Sequence, residues 1–79
     1  MSLRLEPTRI AAADAEGLLV YSDDGLVAVL ARLSDLHGEI AGQWYFEAGF
    51  GEFDRHKHMV FREIDAARRW IASQIERTK

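Results

Sequence analysis

Two apolar runs, residues 18–21 (Leu-Leu-Val-Tyr) and 26–33 (Leu-Val-Ala-Val-Leu-Ala-Arg-Leu), flank Ser22-Asp23-Asp24-Gly25. β-Forming runs separated by turn formers read as a hairpin. Gly25 supplies the positive φ that such a turn requires. It does so either in a two-residue primed turn at Asp24-Gly25 or with all four residues in a type I turn and a bulge. The alternatives differ by one residue of register, which exchanges the faces of the first strand, so Leu19 and Tyr21 are left without a face.

Residues 34–42 gather Ser34, Asp35, His37, Gly38 and Gly42 and read as a connection. Residues 43–50 (Gln-Trp-Tyr-Phe-Glu-Ala-Gly-Phe) then form a third strand. Strict alternation places Trp44, Phe46, Ala48 and Phe50 on a core side, with Tyr45 and Glu47 opposite. A loop over residues 51–55, with Phe53 folding back, leads to a last strand at residues 56–61. At the other end Leu3, Leu5 and Pro7 alternate with Arg4 and Glu6, the pattern of a short edge strand in which a missing amide donor is tolerated. Residues 7–16 read equally as an Ala-rich helix with Pro7 at its first position and Gly17 just past its end.

The last segment carries helical periodicity. Ile64, Ala67, Ile71 and Ile75 recur at three- and four-residue spacing, a stripe that forms only if it buries against something. Glu63 and Asp65 fall in the first turn, Arg77 and Lys79 at the end, and Asp65 precedes Arg69 by four residues. Each charge stands where the helix dipole favours it. Neither Arg62 nor Glu63 is a strong N-cap. The expected fold is one α+β domain over residues 1–79, an antiparallel meander of three to four strands with a C-terminal amphipathic helix packed on one face.

One helix covers one face of a sheet, yet residues 26–33 are apolar at every position except Arg32. A near-continuous apolar run marks a strand buried on both sides. The second face therefore needs a cover, either the N-terminal segment folding over it or a second copy of the chain, since association is a common way for a small domain to add core. The expected interaction surface is Leu26, Ala28, Leu30 and Tyr45. Trp70, at the border of the helical stripe, either joins it as an anchor or closes the edge of the core.

Composition narrows the class. With 48% apolar and 29% charged residues, the chain falls outside the disordered range. It has no cysteine, which removes disulfides and thiolate ligands and fits a reducing compartment, the cytoplasm by default. Its start lacks the apolar run of a signal peptide, and no stretch has the roughly 18 apolar residues of a membrane span. The net charge of −3 divides unevenly: three bases against ten acids in residues 1–54, seven against three in residues 55–79.

Candidate chemistry is sparse, and no catalytic residue, cofactor or enzymatic activity is expected. None of Ser2, Thr8, Ser22, Ser34, Ser73, Thr78 and the tyrosines lies in a nucleophile motif. Gly49-Phe50-Gly51 is followed by acids that would repel phosphate. The acid pairs Asp23/Asp24 and Glu52/Asp54 fall in turns, where carboxylates are solvated. His56 and His58, two apart on a strand, point the same way and with Asp54 or Glu47 could ligate a metal; the alternative is a solvated edge.

In element order, residues 26–77 resemble the small DNA-binding domains at the start of tyrosine recombinases and plant AP2-type domains. That resemblance implies nucleic-acid contact from a sheet face rich in basic residues, where this chain places Arg32 beside Glu47 opposite Trp44 and Phe46. A sequence-independent route to phosphates would use Arg68, Arg69, Arg77 and Lys79 instead. The first expectation is thus a non-enzymatic interaction or self-assembly module, with a weak nucleic-acid binder and a metal protein through His56/His58 as alternatives.

Overall fold

A computed structural model of the chain describes residues 3–10, 16–23, 25–51, 53 and 59–77. Five strands follow one another as an antiparallel meander, β1 (Arg4–Arg9), β2 (Glu16–Ser22), β3 (Gly25–Arg32), β4 (Trp44–Gly49) and β5 (Val60–Phe61), and the chain ends in helix α1 (Ile64–Arg77). A 3-10 segment, Asp35–Ile40, links β3 to β4. The sheet thus has five strands where the sequence suggests three or four, because the residues around Pro7 extend it as an edge strand in which Pro7 pairs with Leu18. The alternative helix over residues 7–16 fails at its start, since residues 7–9 are strand; residues 11–15 lie outside the described residues. Of the last expected strand, residues 60–61 are seen, and 54–58 lie outside the described set.

The register settles the hairpin. Ser22 stands opposite Gly25, whose φ is 137°, so the two strands meet at this pair; Asp24 lies outside the described residues. A further irregularity follows: Tyr21 pairs with Leu26 but Val20 with Ala28, which leaves Val27 as an extra residue in β3. Paired residues in an antiparallel sheet share a face, so this bulge separates Leu26 from Ala28 although they are two apart. A second bulge does the same in β4. Leu30 pairs with Phe46 and Val29 with Ala48, leaving Glu47 unopposed. The alternation expected through Trp44, Phe46, Ala48 and Phe50 therefore breaks after Phe46: Ala48 joins Val29 on the other face, Gly49 pairs with Ala28 on the core face, and Phe50 is 47% exposed.

The core lies between the sheet and α1. Val20, Ala28, Leu30, Phe46, Phe53, Phe61, Ala67 and Ile71 form one buried cluster, with Leu5, Leu18, Trp44, Trp70, Ile64 and Ile75 packed against it. Trp70 is half-buried and its indole is enclosed by three phenylalanines: Phe46 at 6.0 Å and Phe53 at 6.2 Å edge-on, Phe61 at 5.8 Å tilted. These separations are those of favourable aromatic pairs. Phe53 does fold back from its loop, and its amide donates to the Phe50 carbonyl at 3.2 Å. It reaches the cluster by passing over Gly49, where a β-carbon would collide with the Phe53 carbonyl group and lie 2.8 Å from Phe46.

At the start of α1 the Glu63 carbonyl accepts from the Ala67 amide at 3.3 Å, the role of an N-cap carbonyl. Asp65 in the first turn accepts from both Arg68 and Arg69, each at 3.0 Å. All three side chains are more than half exposed, so solvent screens the pairs. Asp65→Ala is expected to cost about 1 kcal/mol or less at low salt, from two exposed pairs and the loss of an acid at the positive end of the helix. Most of that difference should vanish in urea titrations at 1 M salt, where the Debye length is about 3 Å.

Candidate functional site

The face of the sheet turned away from α1 carries the candidate site. By register, Glu6, Leu19, Val29 and Ala48 lie in one row across it; Arg4, Tyr21 and Leu26 form the row on one side, and Thr8, Gly17, Ala31, Tyr45 and Val60 the row on the other. Alternation along each strand fixes these positions once the two bulges are counted. Leu19, Tyr21, Leu26, Val29, Tyr45 and Ala48 are all half-buried, and Val60 is 40% exposed. An apolar sheet face is thus half-buried, and so partly accessible to solvent, over its centre.

Its ends are partly screened. The side chain of Ile10 occupies the space where a side chain at Gly17 would stand, and Ala31, which pairs with Gly17, is only 1% exposed. This is as far as the described N-terminal residues reach over the face: residues 4–9 run beside β2 as a strand of the same sheet. At the opposite corner the 3-10 segment rises along β4, and Leu33, His37, Ile40, Tyr45, Glu47 and Val60 enclose a shallow groove of about 290 Å³. Leu33, one of its lining residues, is 5% exposed. At the rim Ile40 is 40% exposed, and Leu36, one residue before His37, is 83% exposed.

Charge on this face is low. Arg4 lies 4.6 Å above the Tyr21 ring and its Nε pairs with Glu6 Oε2 at 2.6 Å, so two of the three charges contributed by the strands neutralise one another, and Glu47 is the third. Arg32 is not among them. It pairs with Trp44, which puts it on the Trp44 side of the sheet rather than the opposite side, and its Nη1 donates to Glu16 Oε1 at 3.5 Å.

The surface expected from the sequence is therefore divided between the two faces. Leu26 and Tyr45 lie on the open face, whereas Ala28 and Leu30 have no exposed area and lie beneath α1. Trp70 packs among Phe46, Phe53 and Phe61 in the core. The missed members are Leu19, Val29, Ala48 and Val60, together with Leu36 and Ile40, two large aliphatic residues in an otherwise polar connection. That last contrast was the available signal.

No family model, curated protein or solved structure matches this chain. Neither recombinase nor AP2-type domains are returned by these comparisons.

Of the alternative chemistries, His56 and His58 lie outside the described residues, and so does Lys79. Among the described residues no group of three His, Asp or Glu side chains is placed to hold a metal ion. Arg68 and Arg69 share Asp65, which offsets part of the positive charge they would present to a phosphate. No helix among the described residues is long and apolar enough to cross a membrane.

Proposed function

We propose that this chain is a non-enzymatic self-association module that pairs with a second copy of itself across the open sheet face. The observation that carries this reading is the row Leu19–Val29–Ala48 with Tyr21, Leu26 and Tyr45 beside it, an apolar surface on the side of the sheet away from α1. Two sheets facing each other would interdigitate these side chains in a layer about 10 Å thick.

Five strands of six, seven, eight, six and two residues, spaced at about 4.8 Å and rising about 3.3 Å per residue, give a flat footprint of roughly 460 Å². That is a little over half of the ~800 Å² per partner of a standard-size complex, the size of a weak association. An isologous pair also brings like charges face to face, and this surface suits that arrangement because Arg4 and Glu6 already neutralise each other.

Light scattering after size exclusion, at tens of micromolar chain, is the test. Wild type should elute with twice the 9.0 kDa mass of the chain, and Val29→Arg, which buries a charge at the centre of the pair, should elute as a single chain with an unchanged far-ultraviolet spectrum. A wild-type protein that stays monomeric would overturn the proposal.

A further inference from the structure

We propose that the 3-10 segment Asp35–Ile40 is a strap that opens and recloses as a unit while the sheet stays paired, which makes one wall of the groove movable. The inference concerns a single chain and does not depend on the pairing proposed above.

Burial is the first observation. Every residue from Asp35 to Ile40 is exposed and none is buried, whereas Leu33 before them is 5% exposed and Phe46 after them has no exposed area. Lifting the segment therefore withdraws little apolar surface from the interior, and the free energy of a local opening follows what it uncovers. The amide bonds that fold the segment reach only local acceptors: His37 donates to the Ser34 carbonyl at 3.1 Å, Ala41 to Gly38 at 3.0 Å and Gln43 to Ile40 at 3.1 Å.

The second observation is how its ends are held. The Leu33 amide donates to the Gln43 carbonyl at 2.8 Å, and the Gly42 amide donates to the Leu33 carbonyl at 2.7 Å. These bonds continue the β3–β4 pairing one step past Arg32 and Trp44. The chain is thus closed on itself beneath the strap, so residues 34–42 can open without unzipping the ladder. A surface loop of this size with its ends joined is the Ω-loop arrangement.

Gly38 sets the closed form. Its φ of 62° and ψ of −119° are those of the first central residue of a type II′ turn, a place dominated by glycine. A β-carbon there would meet nothing within 4 Å, so backbone conformation alone restricts the position. From the closed strap, His37 and Ile40 line the groove together with Leu33, Tyr45, Glu47 and Val60. The groove therefore has its present outline only while the strap is down, and the fold persists when it is not.

Hydrogen exchange, read amide by amide by nuclear magnetic resonance, is the test. In wild type the amides of His37, Ala41 and Gln43 should be at least about a hundredfold less protected than those of β3. Their exchange should hardly respond to urea below the unfolding transition, because opening exposes little new surface, whereas β3 amides should follow global unfolding. Gly38→Ala should lower the protection of the strap by roughly tenfold, or to that of an unfolded chain. It should leave the urea midpoint of the whole chain unchanged, since an open strap relieves the strain with the sheet intact. Strap amides that exchange together with those of β3, at the same urea dependence, would overturn the proposal. So would a Gly38→Ala chain in which β3 loses as much protection as the strap.

Discussion

Trp70→Ala should lower the stability of the folded chain by about 3–5 kcal/mol, the range for truncating a large aromatic in a core. A chain of this length has roughly 4–12 kcal/mol in all, so the variant should be partly unfolded at room temperature or melt some 15–30 °C lower. Trp70 is the piece of α1 that engages all three buried phenylalanines, Phe46 of β4, Phe53 and Phe61 of β5. Removing it leaves a void bounded by rings held at 5.8–6.2 Å from the indole and loosens three segments together. Trp70→Phe retains an aromatic partner and should recover more than half of the loss. The experiment also separates two roles for this residue. A tryptophan that served as an interface anchor would weaken association and leave the melting of the single chain unchanged. Urea titration of Trp70→Ala in the Val29→Arg background reads the single chain alone. A melting temperature within about 5 °C of that background would contradict the packing role.

Gly49→Ala is expected to cost about 2–3 kcal/mol, at the upper end of what one added methyl group does in a packed region. The added carbon meets the backbone carbonyl of Phe53, which cannot rotate away as a side-chain tip would. On its other side Phe46 is fully buried, and Ala28, the register partner of Gly49, is too. Relief has to come from lifting Phe53, which opens the cluster beneath Trp70. In a Trp44→Phe background, where Trp70 is the sole indole, the Gly49→Ala substitution should therefore shift the fluorescence maximum to the red as well as lower the urea midpoint. A fall in stability without a spectral shift would mean that the strain is absorbed elsewhere.

The elements with strong periodicity were legible from the sequence. The isoleucine stripe of α1, the hairpin about residues 22–25, the third strand and the inward return of Phe53 all appear where the residue pattern puts them. What escaped was the assignment of faces, and the reason is specific. Val27 and Glu47 are each one extra residue in an otherwise regular ladder, and one extra residue moves everything after it to the other side. Neither is a glycine or proline that would have marked the bulge. Counting parity through them joined Leu26 to Ala28 and Leu30, and Ala48 to Phe46, when each set is split between the two faces. The imbalance itself was visible: a strand as apolar as β3 does have half-buried aliphatic residues on the side away from the helix. Of the two covers expected for that side, the N-terminal one is limited among the described residues to Ile10, because residues 4–9 run beside β2 as a strand of the same sheet; residues 11–15 lie outside the described residues. The strand count fell short at the start of the chain, where residues 7–16 read equally as a helix, whereas the last strand, expected over residues 56–61, is present at Val60–Phe61.

Pro7 sits in the outermost strand, exposed, between Glu6 and Thr8. A further chain adding alongside β1 would meet no amide donor at mid-strand and would have to accommodate the Arg4–Glu6 pair as well. Templated growth by strand addition is thereby arrested on that side. In the proposed pair, association through the broad surface would thus not be extended into a fibre along β1.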